Sequence, residues 1–343
     1  MLERFLPSVL RYSLLDNEGE AGWQTPHEEP LELTSQVVVA DNGSTDGSVD
    51  FMQRNYPEVP LVLLDHNYGF AEGYNKALQQ VEADYYVLLN SDVECTPHWI
   101  QPVINMMERE DKVAVAQPKL LMYDRKDTFE YAGGAGGFID SYGYPFCRGR
   151  LFVTMERDHG QYDDERDVFW ASGAAMFVRA DVWKEMGGLD GDFFAHMEEI
   201  DFCWRVKNAG YRVRYSPRSV VYHVGGGTLP KSSPFKTQLN FRNNLSMLYK
   251  NLPEKRRTWV ISLRLVLDAV AALKFLVEGH VGEFSAVWKA HREFFARRQD
   301  LKEKRLNGKI SQQVSGVYSG LLLPEYYLFR RTWFNMLRGR FSK

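Results

Sequence analysis

The segment Met197-Glu198-Glu199-Ile200-Asp201-Phe202-Cys203-Trp204-Arg205 sets three acids and an arginine among apolar side chains. On a helix, Glu198, Asp201 and Arg205 fall near one face, at spacings of three and four, and Glu199 points elsewhere. A carboxylate at the edge of an apolar environment is a candidate for general-base chemistry toward a hydroxyl. The same pattern also suits a salt-bridged helix start, so the choice rests on the rest of the chain.

About a hundred residues earlier, the apolar run Tyr85-Tyr86-Val87-Leu88-Leu89 ends in Asn90-Ser91-Asp92. An acid leaving a buried strand at a cleft can hold a divalent cation, which in turn holds a diphosphate. Helix capping is the competing role, but Thr96 before Pro97 already fills it. Asp41, at the end of Val37-Val38-Val39-Ala40, is followed by the turn Asn42-Gly43-Ser44-Thr45. A carboxylate there can accept hydrogen bonds from a base or ribose. His223 precedes Gly225-Gly226-Gly227 and is a second candidate metal ligand, or a structural histidine at a strand end.

The elements that must position these residues alternate. Apolar spacing predicts a helix over Leu2 to Leu15, and polar residues predict an exposed loop from Asp16 to Pro30. Strands are expected at 37–40, 61–64, 85–89 and 113–116, with helices at 48–55, 69–81 and 97–109 between them. Later come a helix at 181–186, another at 200–208, and strands at 211–215 and 219–223. This alternation predicts an α/β fold with a mainly parallel central sheet, whose ligands bind outside the carboxyl ends of the strands. Asp41 and Asp92 then share one cleft. From Thr237 onward the chain reads as helical. Trp259 to Val277 is its most apolar stretch, interrupted by Arg264, Asp268 and Lys274, with the first two placed to pair. A helix lying on a membrane surface is expected there, with Arg297-Arg298 and Lys302, Lys304 and Arg305 facing anionic lipid; a soluble helical subdomain is the alternative.

Composition bounds the class. The 343 residues are 44% hydrophobic and 25% charged, which is globular. A net charge of −3 gives no sign of a nucleic-acid partner. Cys95, Cys147 and Cys203 form no CxxC pair, which argues against zinc or a disulfide framework and for a reducing, cytoplasmic setting. Met1 to Tyr12 carries no secretory signal.

Taken in order, Asp41-Asn42-Gly43-Ser44-Thr45-Asp46, Asn67-Tyr68-Gly69-Phe70-Ala71 with Asn75, Leu88-Leu89-Asn90-Ser91-Asp92, Trp170-Ala171-Ser172-Gly173-Ala174, Glu198-Glu199-Ile200-Asp201 and His223-Val224-Gly225-Gly226 resemble the inverting family 2 glycosyltransferases of GT-A fold, in particular a rhamnosyltransferase-like branch. The resemblance covers roughly residues 36–252. It implies a GT-A domain over 1–252 and a helical, membrane-associated region over 253–343. It implies transfer from a nucleotide-diphosphate sugar to a glycan or lipid-linked acceptor at the inner face of the cell membrane. Asp41, Asn42, Ser44, Asn67, Gly69, Asn75, Asn90 and Ser91 would form the nucleotide-sugar cleft. Asp92 and His223 would hold Mg²⁺ or Mn²⁺, although Asn-Ser-Asp keeps one carboxylate of the usual DxD-type signature. Glu199 would be the base, with Glu198 and Asp201 beside it, and Trp170 and Gly173 would shape the acceptor side.

One departure stands out. The family opens with an apolar strand, whereas Met1-Leu2-Glu3-Arg4-Phe5-Leu6-Pro7 already resembles its first helix. The expectation is a start assigned too late, with an inactive copy or a rearranged end as alternatives. A sugar-nucleotide- or glycan-binding relative without turnover, lacking the first strand, is the rival reading. A nucleotidyltransferase is disfavoured, because no Gly-rich, Lys-containing loop occurs near the start of the chain.

Overall fold

The computed structural model describes residues 1–14, 33–225 and 233–343. The loop expected over Asp16 to Pro30, and Gly226 and Gly227 after His223, lie outside the described residues. Helix α1 (Leu2–Ser13) buries Phe5 and Leu6. Strands β1 (Val39–Asn42) and β2 (Leu61–Leu64), joined through α2 (Ser48–Asn55), pair in parallel with Asp41 opposite Leu63. Helix α3 (Gly69–Leu78) leads to β3 (Tyr85–Leu89), the short β4 (Val93–Cys95), α4 (Gln101–Arg109) and β5 (Val113–Met122). The glycine-rich middle forms β6 (Gly137–Asp140), β7 (Pro145–Cys147), β8 (Arg150–Leu151), β9 (Thr154–Met155) and β10 (Arg166–Asp167). Then follow β11 (Ala175–Arg179), α5 (Ala180–Met186), α6 (Glu198–Asn208) and β12 (Arg212–His223).

The main sheet runs β10-β12-β5-β11-β3, with β4 also paired to β12. It is mixed rather than mainly parallel. Strands β12 and β5 pair in parallel, but β11 is antiparallel to both β5 and β3. The excursion between β5 and β11 leaves and re-enters at the same sheet edge, so β11 must run back between its neighbours. The two strands expected near 211–223 are one, with a register shift between Ser216 and Val220 around Pro217, which has no N–H to give the ladder.

Among the described residues, β1 pairs with β2 alone, and β3 pairs with β11 alone. The central sheet is thus in two pieces, and residues of both β1 and β3 border one large cleft.

Helices α7 (Pro234–Asn251), α8 (Glu254–Val277), α9 (Val281–Ala296) and α10 (Arg298–Asn307) follow, then β13 (Val317–Tyr318) and α11 (Leu322–Tyr327). The boundary expected at 252 falls between α7 and α8, yet the tail returns: β13 pairs in parallel with β6, Val317 opposite Ile139. Phe341 packs 5.0 Å from the Phe138 ring and 5.3 Å from Phe334. Arg264 and Asp268 on α8 do pair, at 3.4 Å, and His291 Nε2 lies 3.3 Å from Asp268. The opposite face of α8 exposes Trp259, Val266, Val270, Leu273 and Val277. Among the described residues no helix is long and apolar enough to cross a membrane. Two basic residues expected at lipid instead serve the fold: Lys304 pairs with Asp190 and Asp192, and Arg305 Nη1 donates to the carbonyls of Tyr249 and Lys250.

Asp201 joins α6 to α7. Its carboxylate is fully buried and accepts from Arg205 Nε (2.9 Å), Lys250 Nζ (2.9 Å) and Asn251 Nδ2 (2.8 Å). Removing one partner of a buried ion pair strands the other charge, so Asp201→Ala is expected to cost about 3–5 kcal/mol, measured by urea denaturation. A loss below 1 kcal/mol would show that the network is dispensable.

Candidate functional site

The site is built on strand ends. Strands β1 and β3 and helix α6 present their polar termini to a cleft of about 2370 Å³. On the β1 side, Asp41 is 9% exposed, and Ser44 N–H donates to its Oδ2 at 3.0 Å. Asn42 is a staple: its Nδ2 donates to the Gly69 carbonyl (2.8 Å) and its Oδ1 accepts from Tyr68 N–H (3.0 Å). Asn67 Oδ1 accepts from Gly69 N–H at 2.8 Å. These bonds fix the turn before α3, where Gly69 has φ +76° and a methyl would sit 2.6 Å from the Phe194 carbonyl oxygen. Asp41, Asn42, Ser44, Asn67 and Gly69 all line the cleft. Asn75 does not. It is turned to the 189 loop, where its Oδ1 accepts from Leu189 N–H (2.9 Å) and its Nδ2 donates to the Leu189 carbonyl (2.8 Å). Its expected place in the nucleotide cleft is therefore corrected to that of a brace behind it.

On the β3 side, Asn90, Ser91 and Asp92 reach the same cleft, and β12 delivers His223 beside them. His223 Nε2 lies 3.1 Å from Asp92 Oδ1 and 3.3 Å from Asn90 Nδ2. Sequence reading missed Glu130, a single acid in a glycine-rich stretch without a motif. It is buried, with Oε1 3.4 Å from His223 Nδ1. Burial disfavours a charged His223, but the carboxylates of Asp92 and Glu130 outweigh it and raise the imidazole to about 9. Burial likewise pushes Asp92 up, yet the hydrogen bond and charge of His223 hold its carboxyl below the usual range. Among the described residues no cluster of three or more His, Cys, Asp or Glu is arranged to hold a metal ion.

On the third wall, Glu198 and Glu199 open α6. One carboxyl oxygen of each is buried with no hydrogen-bond partner among the described residues. Burial raises Glu199 to about 7, and burial together with the neighbouring Glu199 charge raises Glu198 well above the carboxylate range. Asp201, expected with them, faces the α7 network and does not line the cleft. Its expected catalytic place is thereby corrected: its charge is already neutralised by Lys250 and Arg205. Gly173 lets Phe70 and Glu199 approach, since a methyl there would lie 2.8 Å from Phe70 Cζ and 3.9 Å from Glu199 Cβ. Trp170 lines the cleft as a wall, its Nε1 already donating to the Phe138 carbonyl at 2.9 Å.

Residues 29–154 match the family model described as glycosyl transferase family 2. Two curated relatives match about half of the chain. The N-acetylglucosaminyl-diphospho-decaprenol L-rhamnosyltransferase of Mycobacterium tuberculosis is 27% identical over 205 residues, which is 54% of this chain and 66% of that protein. That match and this relative both liken the chain to glycosyl transferase family 2. The O-antigen biosynthesis protein RfbC of Myxococcus xanthus is 24% identical over 191 residues, 55% of this chain but 15% of that one. Among solved structures, GalNAc-T7 with UDP, GalNAc and Mn²⁺ superposes with a TM-score of 0.53 at 14% identity, covering 74% of this chain and 46% of the other. That likeness is one of fold, and it is the GT-A fold expected from the sequence. Gly69→Ala should cost about 1–3 kcal/mol, read from chemical denaturation, because the left-handed turn and the Phe194 carbonyl leave no room for a side chain. A neutral substitution would show that the turn before α3 can relax.

Proposed function

We propose that this chain is an inverting glycosyltransferase that moves a sugar from a nucleotide-diphosphate sugar to an acceptor hydroxyl. The observation that carries the reading is the single cleft that holds Asp41, the Asp92–His223 pair and the carboxyls of Glu198 and Glu199, each with one buried oxygen left without a partner. A direct displacement needs a base at the acceptor and charge neutralisation at the leaving diphosphate, on opposite sides of the reacting carbon. Glu199 takes the acceptor proton as that oxygen attacks the anomeric carbon and the bond to the diphosphate breaks. Glu198, held neutral by burial and by its neighbour, leaves the ionisable charge on Glu199. Asp41 and the braced turn at Asn67 and Gly69 receive the nucleotide.

Asp92 would hold a divalent cation, and His223 would join it on giving up the proton that Asp92 and Glu130 stabilise, with phosphate oxygens and water completing the set. Such a cation, when bound, neutralises the diphosphate as it leaves. The rhamnosyltransferase relative supports an L-rhamnosyl donor and a diphospho-decaprenol-linked acceptor; a dTDP-rhamnose donor is the form proposed from the sequence resemblance. The exposed α8 face supports docking at the cytoplasmic surface of the cell membrane. A second reading, binding without turnover, is favoured by the two-piece sheet.

Glu199→Gln is expected to lower transfer at least 10³-fold and to leave nucleoside diphosphate affinity within about threefold, measured by product release and calorimetry. Full activity in that variant removes the base assignment; no turnover in the wild type with intact UDP, dTDP or GDP binding favours the second reading. Because Glu199 works ionised, the wild-type rate should rise with pH on an acid limb centred near 7. A rate flat from pH 5 to 8 would contradict a buried carboxylate base. For the membrane, Val270→Asp with Leu273→Asp should remove most of the protein from anionic vesicles in flotation. Unchanged flotation would assign that face to another role.

A further inference from the structure

The approach to α6 is the most strained backbone near the cleft. Within four residues Phe194, His196 and Met197 take φ of +62°, +70° and +74°, although none is glycine. Non-glycine residues in this region persist only where surrounding structure over-determines them. Here the determinant is one side chain. Asn243 of α7 is 1% exposed, and its Nδ2 donates to the carbonyls of Phe193 (2.9 Å), Ala195 (2.9 Å) and His196 (2.8 Å). Arg242 orients it, donating from Nε to Asn243 Oδ1 at 2.9 Å and from Nη2 to the carbonyls of Asp192 and Phe193, both at 3.1 Å.

The turn that Asn243 holds touches both sides of the cleft. The Phe194 carbonyl accepts from Phe70 N–H (2.6 Å) and Ala71 N–H (3.2 Å), at the start of α3 on the nucleotide side. Met197 is the residue before α6, and its carbonyl accepts from Asp201 N–H at 2.9 Å, so its conformation sets where the next two side chains, Glu198 and Glu199, emerge. A relaxed turn would let water reach those carboxyls, one oxygen of each being buried without a partner in the present one.

We infer that Asn243 is a positioning residue for Glu199, acting through the strained turn 193–197 that links the nucleotide side of the cleft to the start of α6. This deepens the proposed function and rests on its assignment of Glu199, but its test needs no turnover. In protein labelled with ¹³C at glutamate carboxyls, the resonance lost in Glu199→Gln identifies Glu199. In the wild type that resonance should titrate near 7. In Asn243→Ala, with a single cooperative thermal transition retained, the midpoint should fall by at least one pH unit toward an ordinary glutamate value of about 4.3. With dTDP-rhamnose as probe donor, kcat should fall on the order of 100-fold and KM change less than threefold. Met197→Gly placed in the Asn243→Ala protein relieves the left-handed strain and should recover part of the midpoint shift. If Asn243→Ala does not fold, Asn243→Ser is read in the same way.

A folded Asn243 variant in which Glu199 titrates as in the wild type overturns the inference. So does a wild-type Glu199 that titrates at the ordinary value. If Glu199→Gln remains active while the Asn243 variant shifts the titration, the positioning role stands and the base assignment alone fails.

Discussion

A carboxyl oxygen buried without a hydrogen-bond partner is costly, and the first turn of α6 holds two, one on Glu198 and one on Glu199. The surroundings are arranged around that constraint. Below the two glutamates, Asp201 anchors the helix through Arg205, Lys250 and Asn251. Above them, Asn243 and Arg242 fix the strained turn by its carbonyls. Both sets of partners come from α7 or from α6 itself, so the packing of α7 on α6 fixes where the two glutamates emerge. Relief of that burial would make Glu199 an ordinary surface carboxylate, too weak a base to be useful near neutral pH.

The cleft's opposite side solves a different electrostatic problem. His223 stands between Asp92 and Glu130, and the two carboxylates more than offset the cost of burying a charged imidazole. The result is a cation-and-carboxylate cluster at the sheet edge, facing a wall of carboxyls raised toward neutrality. The two walls are about a hundred residues apart in sequence and are joined by the main sheet, because β3, β11, β5 and β12 are consecutive neighbours in it. The sheet's division into two pieces places Asp41 on a separate ladder, braced to the rest by Asn42, Asn67 and the Phe194 carbonyl rather than by strand pairing.

Much of this was legible in the sequence because it is local. The strands at 61–64 and 85–89 and the helix at 48–55 follow from apolar period and turn residues, and they fall where expected. So does the pairing of Arg264 with Asp268, four residues apart on a helix. The ordered motifs carried the resemblance and, with it, the fold, since several short signals in sequence order are far less accidental than one. They also gathered Asp41, Asp92, His223 and Glu199 into one expected cleft, and the structure lines one cleft with all four.

Tertiary structure alone decided the rest. Acids of one helix turn look equivalent in sequence, and only the arrival of Lys250 and Asn251 from α7 shows that Asp201 is neutralised while Glu198 and Glu199 are not. Asn75 carries the side chain of a ligand-binding residue, but its amide is satisfied by Leu189, more than a hundred residues on. Glu130 and Asn243 carry no local signal, because each works through contacts about fifty or more residues away. The antiparallel β11 was hidden for a similar reason: apolar content marks a buried strand, but its direction depends on which sheet edge the chain re-enters. The sequence thus determined the elements, the family resemblance and the residue types available for chemistry. Which carboxylates are free to react was decided by long-range packing, because that alone sets burial and partners.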